Sequence, residues 1–238
     1  VLPLPVLATN AAAIGQVNVD FDDDGIVRGI TKAAGLGSPY WPHLTIAILE
    51  RQGVFPADKN RKNQRQSNSM YGIEKSDYSY IRFIGPSRSV FNFSYVDVLE
   101  GAVDEEAFRG KTVFVGATAK GLGDNIPTPL GLLSGVEFHA NAYQALRSNS
   151  VIKVLDPLWH LAVVTLFTLL FSWMLSHVSP TAFLFSSLLV IIGTILASAI
   201  VFSVLSLWVS PIPLVAAAVV FYPLWSWRRI QIALAYLK

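Results

Sequence analysis

PLWHLAVVTLFTLLFSWMLSHVSPTAFLFSSLLVIIGTILASAIVFSVLSLWVSPIPLVAAAVVFYPLWSW (residues 157–227) runs for 71 residues without one Asp, Glu, Lys or Arg. A hydrocarbon layer about 30 Å thick is crossed by roughly 17–25 apolar residues rising 1.5 Å each. The stretch divides into three such lengths, 158–175, 182–206 and 212–227, separated by "SHVSPT" and "SLWVSPIP". Asp156-Pro157 reads as a helix cap followed by proline at the first helical position. The third length is short for a span and is expected to continue into "RRIQIALAYLK". Trp159, Trp208, Trp225 and Trp227 fall near span ends, where interfacial aromatics belong, and His160 and His177 read as interfacial for the same reason.

The charges lie elsewhere. All 16 acidic residues sit between Asp20 and Asp156 with 15 of the 18 cations, so the first 156 residues carry a net charge of −1. That balance excludes the basic face a nucleic-acid partner needs. With no cysteine, the chain has no disulfide, thiol nucleophile or thiolate metal site. Arg228 and Arg229 directly follow the third span and mark the cytoplasmic side. Counting back through three spans places residues 1–156 outside. The expected organisation is an extracytoplasmic domain (1–156), three transmembrane helices (157–227) and the start of a cytoplasmic signalling helix (228–238). The chain has no initiator Met and no signal peptide, and its pattern stops mid-helix, so an upstream span and a cytoplasmic continuation are expected.

Within the outer region, 14–20 and 26–32 read as strands around an acidic turn. Residues 43–52 read as a helix, with Leu44, Ala47, Ile48 and Gln52 at helical spacing and Gly53 ending it. A polar surface loop follows to Asp77. Residues 78–85 read as a strand ended by Gly85-Pro86, and 94–101 as a short helix capped by Ser94. The apolar run 111–119 predicts a strand buried on both faces. Residues 135–149 predict a helix carrying Val136, Ala140, Tyr143 and Leu146 on one side. The fold class is therefore α/β: a mixed-sheet extracytoplasmic domain followed by three transmembrane α-helices.

"GQVNVDFDDDGIVRGI", "YWPHLTIAILE", "YIRFIGP", "FSYVDVLEG", "FRGKTVFVGATAKGLGDNIPTPL" and "GVEFHANAYQALRS" occur in this order ahead of the three apolar lengths. Together they resemble the second class of CHASE domain, the cyclase- and histidine-kinase-associated sensory extracellular module. The resemblance implies an extracytoplasmic sensor in a bacterial plasma membrane, with a preceding span, three following spans and a cytoplasmic output domain. It supplies no binding residues.

Candidates for chemistry come from pattern alone. Asp20, Asp22 and Asp24 before Gly25 spell D-x-D-x-D-G, the opening of a calcium loop. Counted from Asp20, however, the twelfth position is Thr31 where an EF-hand has its bidentate Glu, and the flanks read as strands. The stretch is expected to be a strand-linking turn first and a calcium site second, and calcium is the one cofactor it suggests. The loop "VGATAKGLGD" (115–124) follows the apolar strand, and α/β ligands bind beyond the carboxyl ends of central strands. Thr118, Lys120 and Asp124 are then expected at a ligand rim, with Glu137 and Asn141, one helical turn apart, presenting an acceptor and an amide. His139, elsewhere on that helix, reads as a hydrogen-bonded structural residue. No Ser nucleophile motif, H-E-x-x-H or carboxylate dyad is present. The functional expectation is a homodimeric sensor of a small-molecule or protein signal. Its output is a histidine kinase first and a nucleotide cyclase second. The rival readings are a membrane-anchored extracytoplasmic enzyme and a structural assembly module.

Overall fold

The computed structural model describes residues 4–37, 40–56, 72–119, 124–175 and 180–220, together with positions 223, 227 and 231. The chain divides into two compact units, Val1–Val151 and Ile152–Lys238.

The first unit opens with α1 (Pro5–Asn10), started by a proline that needs no N–H donor there. The segment 14–20, expected as a strand, is extended and makes a single parallel bridge, Gln16 to His43, rather than a ladder among the described residues. The expected strand 26–32 shortens to β1 (Gly29–Thr31), all three residues of which are buried. Next come β2 (Ala33–Leu36), β3 (Trp41–Pro42) and α2 (Leu44–Arg51). Beyond it lie β4 (Ile73–Lys75), inside the segment expected to be loop, and β5 (Tyr78–Ile81). β1 pairs antiparallel with β5, Gly29 opposite Tyr80, while β2 pairs antiparallel with both β3 and β4. A short helix α3 (Tyr95–Leu99) follows, and Ser94 stands at its N-cap without a side-chain cap bond. β6 (Asn125–Thr128) and β7 (Gly131–Ser134) form a hairpin leading directly into α4 (Gly135–Arg147).

The core gathers where α2 and α4 meet. Ile46 and Leu49 from α2 pack with Phe138, Ala142, Tyr143, Ala145 and Leu146 from α4, and Val27, Ile30, Ile81 and Ile126 close the cluster. Full burial of each such side chain stabilises by about 1.5–3 kcal/mol. The buried face of α2 is thus Thr45, Ile46, Ala47 and Leu49, one position round from the expected stripe, in which Leu44 and Ile48 are half-buried and Gln52 exposed.

Residues 111–119 correct the sequence reading. They are extended, but among the described residues they join no ladder. Thr112 and Phe114 turn inward, while Val113 and Val115 are 53% and 77% exposed. The run is apolar on both sides, yet only one side lies on the core.

In the second unit β8 (Val151–Val154) continues past Asp156, whose carboxylate accepts from the Leu158 N–H at 2.9 Å, into α5 (Pro157–Leu175). The expected cap and proline stand where the sequence puts them. α6 (Pro180–Leu205) follows, and residues 212–220 are again helical, as are positions 223, 227 and 231. Between them β9 (Leu207–Trp208) pairs parallel with β8, Lys153 opposite Leu207. Phe171 of α5 and Ala218 are buried against each other, with Val190 and Ile191 of α6 beside them, so the three helical segments share a small apolar centre. Their outer faces are also apolar: Leu166, Leu189, Ile200 and Val204 are all at least 60% exposed. The hydroxyls of Thr168, Thr194 and Ser203 donate to the carbonyl four residues back, so these polar groups are satisfied inside their own helix. Among the described residues one helix, Phe185–Leu205, is long and apolar enough to cross a membrane, while Pro157–Trp173 is apolar but shorter.

Candidate functional site

The acidic turn comes first in the chain. Gly25 adopts φ 76, and its N–H donates to the Asp22 carbonyl at 2.8 Å while Asp22 N–H donates to the Ile26 carbonyl at 3.1 Å. This is a tight turn in which glycine supplies the left-handed angle. The carboxylates above it are held by the chain's own cations. Arg28 grips Asp24 through both guanidinium nitrogens at 2.6 and 2.9 Å and reaches Asp22 at 2.6 Å. Asp20 accepts instead from Lys75 and from the Thr31 hydroxyl. The Arg28 hydrogen bond holds Asp24 down to about 2, helped by the Ile26 N–H. Calcium here has to displace Arg28. Among the described residues no three His, Asp or Glu side chains are grouped so as to hold a metal ion.

The second location is the N-terminal end of α4. Ser134 caps it, accepting from the Glu137 N–H at 3.4 Å, and Glu137 reaches back to the Ser134 N–H at 3.4 Å, a capping box. The Glu137 carboxylate also accepts from the Arg88 N–H at 2.7 Å and the Ser87 hydroxyl at 3.1 Å. Burial alone raises its pKa, but the Arg88 N–H, then the Ser87 and Ser134 donors, win and hold it low. Asn141, 2% exposed, accepts from the Ile84 N–H at 2.9 Å and donates to the Glu137 carbonyl at 2.9 Å. Both side chains expected at a ligand rim are therefore engaged in anchoring the 84–88 segment to α4. Arg88, whose N–H Glu137 accepts, adopts φ 69, unusual for a residue with a side chain.

Thr118 is exposed, Asp124 is exposed beside Gly135, and Lys120 lies outside the described residues. Gly116 approaches α4 so closely that an added Cβ would stand 2.7 Å from the Val136 side chain. Asp124 and Gly116 thus stand against the start of α4, with Thr118 exposed two residues beyond Gly116, although residues 111–119 form no strand.

Sequence reasoning missed a polar seam between α2 and α4. At its far end, Tyr143 donates to Gln52 at 2.8 Å, meets the Thr112 hydroxyl at 2.9 Å and accepts from Arg147 at 2.8 Å. At its near end lie His43 and His139, ring centroids 5.1 Å apart. His43 is wholly buried and caps α2: its Nδ1 accepts from the Thr45 N–H at 3.3 Å and meets the Thr45 hydroxyl at 2.8 Å. Its Nε2, and the Nδ1 of His139, are buried without a hydrogen-bond partner among the described residues. Burial, reinforced by His139, holds His43 down to about 3; burial lowers His139 also, opposed by Asp124. Histidine is rare at an N-cap, so nothing in "PHLT" signals this role.

A family model described as the CHASE2 domain matches residues 3–179, well over half of the chain. The chain belongs to the CHASE2 family. CHASE2 domains are extracellular sensory domains of signalling receptors and are not catalytic. No curated protein and no solved structure matches this CHASE2 chain.

Proposed function

We propose that the chain is the sensory and membrane-anchoring region of a bacterial signalling receptor. The CHASE2 domain lies outside the plasma membrane, α5, α6 and the helix beginning at 212 cross it, and the chain leads into a cytoplasmic histidine kinase, with a nucleotide cyclase as the second choice. The observation that carries this reading is the continuity of a sensory-family domain with 71 uncharged residues whose helices are apolar on their outer faces. An apolar exterior of that extent has no place in water. The protein acts as a homodimer, and its signal, a small molecule or a protein, contacts the exposed polar groups Thr118 and Asp124, with Lys120 of the same stretch of sequence as a further expected contact. Transmission requires that the signal bind two states of the domain with different affinity. The test is chemical: the purified full-length protein, given ATP, incorporates phosphate on histidine. Cyclic-nucleotide formation instead selects the cyclase, and neither activity removes the receptor reading.

A further inference from the structure

A buried hydrogen-bonding atom without a partner is costly, and natural domains keep few of them. Among the described residues two occur on facing rings. Because Nδ1 of His43 accepts from Thr45, the proton of the neutral ring sits on Nε2, which is the unpartnered donor, and the Nδ1 of His139 is unpartnered on the adjacent ring. His43 stands at the N-cap of α2, where a positive charge is disfavoured by the helix dipole, while His139 lies one turn into α4. Protonating His43 also turns its cap acceptor into a donor, which breaks the bond from the Thr45 N–H.

We propose that the His43–His139 pair is an acid-responsive latch between α2 and α4, closed while both rings are neutral and opened when acidification of the outer medium charges them. The proposal rests on the sensory reading for the side of the membrane on which the pair lies, and it names the proton as one signal of that sensor. The groups around the pair leave the response to the imidazoles. Asp124 acts on His139 and favours its protonation, so His139 takes the first proton. Its charge then opposes a second on His43. Lys32 offers His43 only its backbone carbonyl, with its ammonium directed at Asp77, and Glu137 is engaged by Ser87, Arg88 and Ser134. Both rings hold lowered values when closed, so closure is at full strength above the ordinary value of 6.5 and weakens as pH falls below it. The ratio of open to closed forms grows about tenfold per pH unit for each imidazole that only the open form protonates.

The chain contains no cysteine, so spin labels at Arg51→Cys on α2 and Gln144→Cys on α4, both exposed positions, report the seam without background. In the chain reconstituted in nanodiscs, the label separation gains a longer population between pH 7.5 and pH 5.0 and recovers on neutralisation, with far-UV circular dichroism unchanged. His43→Asn, which keeps an N-cap acceptor that does not titrate, combined with His139→Gln, abolishes the change. If the double variant does not fold, His139→Gln alone, with His43 and its cap intact, carries the comparison. An invariant separation in the unsubstituted seam, the same change persisting in the variants, or loss of circular dichroism at the same pH overturns the latch. Finding the domain on the cytoplasmic side overturns the sensory reading and leaves the latch itself intact.

Discussion

Glu137 accepts from Ser134, Ser87 and the Arg88 backbone, and so joins the cap of α4 to the 84–88 segment. Glu137→Ala should cost about 1–2 kcal/mol, the range for losing an N-terminal cap, read as a lower midpoint in urea unfolding. Its pKa is lowered in the fold, so this contribution is present above 4.5 and disappears as pH falls below it; the variant and the parent should converge in acid. The acidic turn behaves differently, since its carboxylates lie at the surface on an arginine. Asp22→Ala should change stability by within about 0.5 kcal/mol whether calcium is present or absent. A calcium-dependent rise in melting temperature that vanishes in Asp22→Ala would show an ion displacing Arg28. The turn was legible from "DDDG"; its closure by Arg28 and Lys75 was not, because Lys75 stands 55 positions from Asp20.

At the scale of elements, the segment 111–119 discriminates most sharply between pattern and structure. A central strand would make Val115→Ser as damaging as a core truncation, about 2 kcal/mol or more. With Val115 77% exposed, the expected cost is below about 0.5 kcal/mol, whereas Phe114→Ala, which removes a ring packed 5.6 Å from Tyr143, should cost about 2 kcal/mol or more. Urea unfolding of the two variants side by side decides it. The helices were legible because their apolar spacing is local: α2, α3, α4, α5 and α6 all fall within a few residues of expectation. The strands were legible only in part: β1 and β5 fall inside the expected 26–32 and 78–85, while the others answer to no expected strand. They are two to four residues long, and their partners are remote, as β2 with β4 and β1 with β5. β6 even contains Pro127, whose carbonyl accepts from the Val27 N–H at 2.8 Å, a register only the far partner can specify. In 111–119 the inward Phe114 and outward Val113 and Val115 are all apolar, so alternation was invisible. The seam histidines were hidden for the same reason: each looks solitary in sequence, and only the packing of α2 on α4 makes them a pair.

For the whole molecule, the proposed three membrane crossings are weighed against fewer. The second unit favours three crossings on physical grounds. Phe171, Ala218 and the Val190–Ile191 pair bring all three helical segments to one centre, and their outward side chains are apolar. Leaving one helix in water while its neighbours enter lipid would strand that apolar surface at a cost of about 25 cal/mol per Å². An odd number of crossings puts the two ends of the chain on opposite sides, and the cation bias then predicts Arg228 and Arg229 inside. Asp23 and Gln231 are both exposed and lie on either side of the apolar stretch. In the cysteine-free chain, a cysteine at Asp23 should react with a membrane-impermeant maleimide in intact cells, and one at Gln231 only after the membrane is disrupted. Equal reaction of both from outside requires an even number of crossings. One of the helices would then lie along the interface, and the signal would leave the domain by a different helix from the one that begins at 212.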